Sequence, residues 1–333
     1  LLLLGGLYSS LKMYDKAVKS YEDVVKFDPK SAQEARLYLG AIYAEKNDLT
    51  TALKYFNLVA QSKEKESKFK HLAYYYMGRI HVYNNKTKEA EKDFQKCLSV
   101  KPDFEDAVLA LGSIYEEGNK SAKAIKLYAS YQEQFGPDVT VAKPLSQLYL
   151  EGEQYDKAYK QYEIIQASEP DNLNVKIRLA LLDIEKKDYS VATKRLKEIL
   201  AVAPESDKIR FYLAAVFEEQ GKVVEAIEQF EKIAPVSQFY GEAVVHAAYL
   251  YRQQGKADKA IQITEAALKE KKDNAQLYAL YASLMDEQKK YDNAEKMLNQ
   301  GVAVFPENEQ LLFFLGSIQD KMDKKTQMVE TMK

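Results

Sequence analysis

The chain has 333 residues, of which 46% are hydrophobic and 29% are charged. Its 48 Lys and Arg residues nearly balance its 50 Asp and Glu residues, so no excess of positive charge indicates a nucleic-acid partner. The single cysteine, Cys97, excludes an internal disulfide, and no HExxH or paired CxxC motif indicates a metal site.

The chain opens on four leucines, far fewer than the roughly 20 apolar residues that a membrane-spanning helix needs. Leu4-Gly5 stands at the same distance before Ala17 as Leu39-Gly40 stands before Ala52. We therefore predict that these leucines belong to the first helix of a repeated unit. The chain lacks an initiator Met, so we expect it to be a fragment, in which any targeting segment would be missing.

One motif, with an alanine at its centre, recurs along the whole chain. It first appears as Tyr14-Asp15-Lys16-Ala17 and nearly closes the chain as Tyr291-Asp292-Asn293-Ala294. The first two steps between successive alanines are 35 and 38 residues, and every later step is 34. A fixed period in this range is typical of a solenoid of helical hairpins. We call these residues the alanine ladder: Ala17, Ala52, Ala90, Ala124, Ala158, Ala192, Ala226, Ala260 and Ala294.

Each ladder alanine is predicted to lie where the two helices of a hairpin cross closely, because a larger side chain would hold the backbones apart. A large apolar residue usually follows four positions later, and another three beyond that, which makes one apolar stripe on the second helix. Prolines are predicted to end several second helices, because proline lacks the N–H and clashes with the preceding turn. They are Pro29, Pro102, Pro170, Pro204 and Pro306.

The turns between the two helices of a unit often contain glycine. A left-handed backbone conformation suits glycine, which has no Cβ. We therefore predict left-handed glycines in four of these turns. They are Gly118, Gly152, Gly221 and Gly255.

Three stretches depart from the pattern. Residues 61–68 replace the usual proline with a charged insertion that either lengthens the second helix or forms a loop. In the fifth unit we predict that the first helix begins late, with Pro144 in its first turn, where the missing N–H costs nothing. After the ninth unit, Leu315-Gly316 and Met328 indicate a truncated or degenerate tenth.

With Leu-Gly, Tyr, Ala, aromatic and Pro positions at this spacing, the chain resembles the tetratricopeptide repeat family. The resemblance covers essentially all 333 residues. It implies an all-α fold, a right-handed α-solenoid superhelix of helix-turn-helix repeats. A single solenoid would then span residues 1–333, with about nine repeats and a partial tenth at 309–333. It also implies a non-enzymatic scaffold, without a cofactor, that binds a peptide or partner protein in the concave groove lined by the first helices.

Helical spacing selects the side chains expected to face that groove. Rigid aromatic rings mixed with arginine are typical of recognition surfaces, although any one of these residues could instead pack against a neighbouring helix. The predicted groove residues are Tyr38, Tyr75, Tyr76, Arg79, Tyr83, Lys143, Gln147, Arg178, Lys208, Phe211, Tyr212, His246, Tyr249 and Arg252.

Some family members hold a peptide's C-terminal carboxylate with a clamp of Lys, Asn and Arg side chains. Two of the five matching positions here keep the family's residue type, which puts that mode of binding in doubt. The weaker hypothesis is that Lys143, Arg178 and Lys208 form a basic spot that holds an acidic group.

The remaining polar residues have simpler interpretations. The three histidines do not share metal-ligand spacing, and His81, which replaces an aromatic residue, is predicted to be packed. Cys97 is predicted to be a buried structural thiol. Glutamates recur at the ends of first helices, where they form either a solvated rim or a surface for a basic partner.

The preferred interpretation is thus a protein–protein interaction scaffold with no membrane span in this segment. One alternative is the recognition arm of a larger enzyme, such as a glycosyltransferase. Another is a module that self-assembles through its solenoid ends or helps to build a bacterial envelope complex. The sequence does not decide between a cytoplasmic and a periplasmic location, because a single cysteine suits both.

Overall fold

The computed structural model describes residues 1–62 and 68–332, and this part of the chain contains twenty helices and no strand. The prediction of an all-α fold built from helical hairpins is therefore confirmed. No helix within the described ranges has the length and apolar character that crossing a membrane requires. The chain divides into two compact units, which we call unit 1 (Leu1–Pro170) and unit 2 (Asp171–Lys333).

In each unit, an odd-numbered first helix packs against the even-numbered second helix that follows it. The helices of unit 1 are α1 (Leu2–Ser10), α2 (Tyr14–Phe27), α3 (Ala32–Glu45), α4 (Leu49–Ala60), α5 (Lys70–Tyr83), α6 (Thr87–Val100), α7 (Glu105–Glu117), α8 (Ser121–Phe135), α9 (Val139–Glu151) and α10 (Tyr155–Ser168). The helices of unit 2 are α11 (Leu173–Glu185), α12 (Tyr189–Val202), α13 (Asp207–Glu219), α14 (Val223–Glu231), α15 (Tyr240–Gln253), α16 (Ala257–Glu270), α17 (Ala275–Glu287), α18 (Tyr291–Val304), α19 (Glu309–Lys321) and α20 (Lys325–Thr331).

The apolar start of the chain is helical, as predicted, because α1 packs on α2. Most of the charged insertion at 61–68 lies outside the described residues, and α4 ends at Ala60 before it. Cys97 is fully buried in α6, which confirms the prediction, and burial raises the pKa of its thiol to about 12.

Every ladder alanine is buried. The exposed fraction is 0% at all nine positions, from Ala17 to Ala294. The nine methyl groups are thus enclosed by neighbouring residues, which is the burial expected if the two helices of each hairpin cross closely there.

A second set of small residues lies opposite large side chains within the hairpins. A Cβ atom added to Gly40 would lie 2.5 Å from the ring of Phe56, and one added to Gly78 would lie 2.7 Å from the ring of Phe94. Each glycine precedes its ring by sixteen residues. Two hairpins of unit 2 hold alanine before leucine at the corresponding positions, Ala180 before Leu196 and Ala282 before Leu298, whereas Ala214 precedes Phe230.

The turn within each described hairpin has three residues, and its middle residue is always left-handed. Gly221 (φ 68°) and Gly255 (φ 73°) hold this position as predicted, but Gly118 (φ -83°) and Gly152 (φ -92°) do not. The glycine prediction was wrong at those two positions because each of them is the first residue of its turn. The left-handed residues across the hairpins are Lys12, Asn47, Asn85, Asn119, Glu153, Lys187, Gly221, Gly255, Lys289 and Asp323.

The prediction for Pro144 was also wrong, since the residue lies inside α9 rather than in its first turn. The Asp138 side chain accepts hydrogen bonds from the backbone N–H groups of Thr140 (2.8 Å) and Val141 (3.1 Å). This N-cap starts the helix at Val139. Pro144 therefore costs α9 one internal hydrogen bond.

Polar bridges join the first and second helices at a spacing of twelve residues. His81 is packed, as predicted, with its Nδ1 atom 2.8 Å from Oδ2 of Asp93. Burial raises the pKa of the Asp93 carboxyl, whereas the hydrogen bond from His81 lowers it. In unit 2, Arg195 Nε donates to Asp183 Oδ2 at 2.9 Å. Each buried carboxylate thus has a partner, without which its burial would be costly.

Tyr251→Phe is expected to show how a buried phenol contributes to stability. Tyr251 donates a hydrogen bond to Glu231 Oε1 at 2.7 Å, and burial raises its pKa to about 12. Between about pH 10 and about pH 12 the Tyr251 phenol keeps its proton in the folded state but loses it in the unfolded state, whose pKa is about 10. The contribution of Tyr251 to stability therefore falls over this pH range. Urea unfolding should show Tyr251→Phe less stable by about 1 kcal/mol near pH 8.

Near pH 11 this difference in stability should be smaller. The wild-type phenol ionises there in the unfolded state but not in the folded state, which favours unfolding, whereas Tyr251→Phe has no phenol to ionise. Tyr83→Phe, which alters an exposed ring, is the control. A difference for Tyr251→Phe that stays constant between the two pH values would contradict the prediction.

Candidate functional site

First helices of some neighbouring hairpins touch directly, and we call the surface that the first helices present the first-helix face. Within unit 1, α3 contacts α5, and within unit 2, α15 contacts α17 and α17 contacts α19. The predicted groove residues all lie on odd-numbered helices.

In unit 1, Tyr38 and Tyr76 occupy the same position in successive hairpins, fourteen residues before the ladder alanine. Each ring stacks on a ring of the preceding second helix. Tyr38 lies 5.2 Å from Tyr21 with an interplanar angle of 26°, and Tyr76 lies 5.4 Å from Phe56 with an angle of 19°. These contacts hold the two tyrosine rings in place on the face.

Tyr75 packs beneath the same face, in T-shaped contact with Phe104 at 5.2 Å and 5.9 Å from Phe94. The Arg79 guanidinium lies over the Tyr75 ring at 5.9 Å. Burial raises the pKa of Tyr75, with a smaller opposing effect from Arg79. Arg79 is exposed, and Tyr83, at 70% exposed, is the most accessible of the predicted groove tyrosines in unit 1.

Two hollows lie on this part of unit 1. The first, which we call the third-hairpin hollow, has a volume of about 510 Å³. It is lined by Ala41, Ala44, Glu45, Asn47, Leu49, Phe56, Tyr76, Arg79, Ile80 and Tyr83. The second, which we call the N-terminal hollow, has a volume of about 730 Å³. It is lined by Leu2, Leu3, Gly6, Ser9, Ser10, Lys12, Tyr14, Tyr21, Glu34, Tyr38 and Glu45. Both volumes lie in the range typical of ligand sites.

The other predicted residues of unit 1 have polar partners. Lys143 Nζ lies 2.7 Å from Glu169 Oε1, and Gln147 donates to Glu151 Oε1 at 3.0 Å. Lys143 and Gln147 are nevertheless exposed on α9. An acidic partner would therefore have to compete with Glu169 for the Lys143 ammonium group.

In unit 2, Lys208 lies over the half-buried ring of Tyr212 at 5.9 Å, and Arg178 is exposed on α11. Phe211 is only 9% exposed and packs against Phe230 at 5.6 Å, so it supports the first-helix face from the core. The basic spot predicted from Lys143, Arg178 and Lys208 draws on both units and stays a prediction.

His246 in unit 2 holds the same position as Tyr38 and Tyr76, and it stacks on Phe230 at 5.2 Å with an angle of 19°. Its Nδ1 atom lies 2.8 Å from Glu218 Oε2. Nearby on α15, Arg252 lies over the exposed Tyr249 ring at 5.4 Å and pairs with Glu287 Oε1 at 3.0 Å. The stacked geometry therefore occurs in both units.

Helical spacing did not identify the partners that fix these rings. Tyr21, Phe56 and Phe230 each follow the previous ladder alanine by four residues, so the period contains a signal for the stacks. The acidic side chains Glu34 and Glu45, which line the hollows, were also missed. Among the described residues, no group of three or more His, Cys, Asp or Glu side chains is arranged to hold a metal ion.

Comparisons with known proteins bear on the fold. Two family models match the chain, and both describe a tetratricopeptide repeat. One matches residues 7–66, 75–139 and 177–239, and the other matches residues 251–314. The matched residues make up more than half of the chain. No curated protein matches it at a significant level.

Several solved structures are similar to the chain at low identity. A tetratricopeptide repeat protein from Parabacteroides merdae is 16% identical, with 77% of this chain and 99% of that one covered and a TM-score of 0.42. YrrB, a TPR protein described as having an unusual peptide-binding site, is 17% identical, with 59% and 97% covered and a TM-score of 0.45. Yeast Tom70 is 13% identical, with 96% and 88% covered and a TM-score of 0.45.

Proposed function

The chain belongs to the tetratricopeptide repeat family, and we propose on this premise that it is an interaction scaffold that binds a peptide segment of a partner on its first-helix face. The observation that carries this proposal is the repeated stack of Tyr38 on Tyr21 and of Tyr76 on Phe56 beside two hollows. Rings fixed in this way offer a large contact area at a low cost in conformational entropy.

The chemistry of the face favours recognition of an extended segment. Its hollows combine apolar side chains with hydrogen-bonding groups, such as the Tyr38 hydroxyl, which donates to Glu34 Oε1 at 3.2 Å. Burial and the nearby Glu34 raise the pKa of Tyr38, so its phenol remains a neutral donor at physiological pH. Side-chain pockets and polar groups in this arrangement supply affinity and orientation for a bound peptide.

A peptide-display experiment tests the proposal. A random peptide library selected on the wild-type chain should yield enriched sequences, and the affinities of synthetic copies are then measured by fluorescence anisotropy. The triple variant Tyr38→Ala, Tyr76→Ala and Tyr212→Ala should bind these peptides at least about tenfold more weakly, because truncated aromatic anchors lose the most binding energy.

Phe27→Ala is the matched control, since Phe27 is 66% exposed at the end of a second helix. This variant should retain wild-type affinity, and circular dichroism should show that the triple variant remains folded. Peptides that bind the triple variant as tightly as the wild type would show that the first-helix face is not the binding surface.

A further inference from the structure

We propose that the third-hairpin hollow takes a bulky apolar side chain of a partner segment whose neighbouring internal residue is aspartate or glutamate, with that carboxylate bound by Arg79. This inference rests on the proposed function and specifies the chemistry of the partner at one hairpin.

The inner wall of the hollow is apolar. Phe56 is fully buried beneath it, Ile80 is 6% exposed, and Leu49 also belongs to the lining. The Tyr76 and Tyr83 rings form the other walls. At about 510 Å³ the hollow is larger than any single side chain, so a leucine or phenylalanine of a partner has room to pack against its apolar wall.

The third hairpin differs from its neighbours in charge. Most of the other described first helices end on a glutamate, whereas α5 ends on Tyr83. Those glutamates are Glu45, Glu117, Glu151, Glu185, Glu219 and Glu287. Four residues before Tyr83 stands Arg79, and no other repeat has an arginine at the corresponding position. In this hairpin Tyr83 therefore stands where most others have a glutamate, and Arg79 adds a positive charge beside the third-hairpin hollow.

The Arg79 guanidinium is suited to bind a partner's carboxylate. It is held over the Tyr75 ring, and no carboxylate within residues 1–62 and 68–332 lies at ion-pair distance from it. By contrast, Arg252 on α15 already pairs with Glu287. Arginine binds a carboxylate through two parallel N–H donors, which gives the contact direction as well as energy.

The surrounding charges decide where the acidic residue lies. Glu45 lines both hollows, and Glu34 also lines the N-terminal hollow. These two carboxylates, both on α3, would repel a partner's carboxylate on the α3 side of the third-hairpin hollow. The acidic residue is therefore placed on the Arg79 side, immediately next to the apolar side chain. Because α3 precedes α5 and α7 follows it within unit 1, a segment that runs along successive first helices would extend on both sides of the hollow and present the acidic group as an internal side chain.

The test uses peptides enriched by display on the full wild-type chain, resynthesised with acetylated and amidated ends. Without free termini, the only carboxylates are those of Asp and Glu side chains. We expect the enriched set to contain an apolar residue beside Asp or Glu, and replacement of that acidic residue by its amide to weaken binding by about tenfold or more. Arg79→Gln should cause a similar loss for the acidic peptide and none for the amide peptide.

Lys92→Gln is the matched control, because it removes an exposed cation from the second helix of the same hairpin. It should leave the affinity for both peptides unchanged. Enriched peptides that lack an acidic bias but still need the groove tyrosines would overturn this inference and leave the proposed function standing. If no peptide is enriched, or if binding ignores those tyrosines, both proposals fail. If Arg79→Gln weakens the binding of the acidic peptide and of the amide peptide equally, a contact between Arg79 and a carboxylate is also contradicted.

Discussion

Ala192→Leu is expected to lower the free energy of unfolding of the chain by about 2–3 kcal/mol, measured by urea denaturation followed by circular dichroism. Ala192 is fully buried in α12, and it belongs to a core that includes Leu196 and Ile199. Leucine adds three carbon atoms to a space that is filled at the density of an organic crystal. The helices must then move apart or the side chain must adopt a strained rotamer.

Ala201→Leu is the matched control for this substitution. Ala201 lies on the same helix but is exposed, so the same change should alter stability by less than about 0.5 kcal/mol. A destabilisation of equal size in both variants would mean that leucine acts through helix propensity or the unfolded state. The tight crossing of the helices would then not explain the alanine ladder.

The pair Gly78 and Phe94 is expected to show a coupling free energy of about 2 kcal/mol in a double-mutant cycle. In the wild-type background, Gly78→Ala places a methyl group 2.7 Å from the Phe94 ring, and the overpacking outweighs the gain in helix propensity of about 1 kcal/mol. With Phe94→Leu the ring is absent, so the same Gly78→Ala change should become stabilising. The sign of the effect therefore reverses.

The chain itself offers a precedent for this exchange, because Ala282 and Leu298 hold the corresponding positions in unit 2. Gly6→Ala is the control, since its added Cβ would meet only the Tyr21 hydroxyl oxygen at an ordinary 3.6 Å. That variant should gain up to about 1 kcal/mol. If Gly78→Ala is equally stabilising with and without the Phe94 ring, the close contact between these residues is not a determinant of stability.

The architecture could be predicted from the sequence because its clearest pattern follows from packing. The position of Ala90 must hold a small residue in every hairpin, so alanine recurs at the period of the hairpins. The turn conformations were less predictable. A left-handed residue is needed at the middle of each three-residue turn, but Asn119 and Glu153 adopt it as well as Gly221 does. Residue type therefore does not identify the position.

The start of α9 also could not be predicted from the sequence. Pro144 favours a helix that begins just before it, whereas the capping side chain of Asp138 favours an earlier start. In the structure the cap and the packing of the helix prevail over the loss of one hydrogen bond. Local preferences that oppose one another are decided by tertiary packing, which the sequence alone does not display.

The candidate site was predictable only in outline, since helical spacing selects a face but not the partners beneath it. Tyr76 rests on Phe56, and Lys143 pairs with Glu169, a residue on the following helix boundary. Phe211 was selected with the same rule and is buried. Such contacts join different helices, 20 residues apart for Tyr76 and Phe56 and 26 apart for Lys143 and Glu169, and their geometry depends on how the helices pack.

The nested packing of the alanine ladder supports every surface described here, and thiol labelling tests it most directly. Each ladder alanine is replaced in turn by cysteine, with Cys97 as the buried reference and Ala201→Cys as the exposed one. We predict that maleimide reacts with the ladder thiols at least about a hundredfold more slowly than with Ala201→Cys, because labelling requires local opening. Ladder thiols that react as fast as Ala201→Cys in a folded chain would contradict the account.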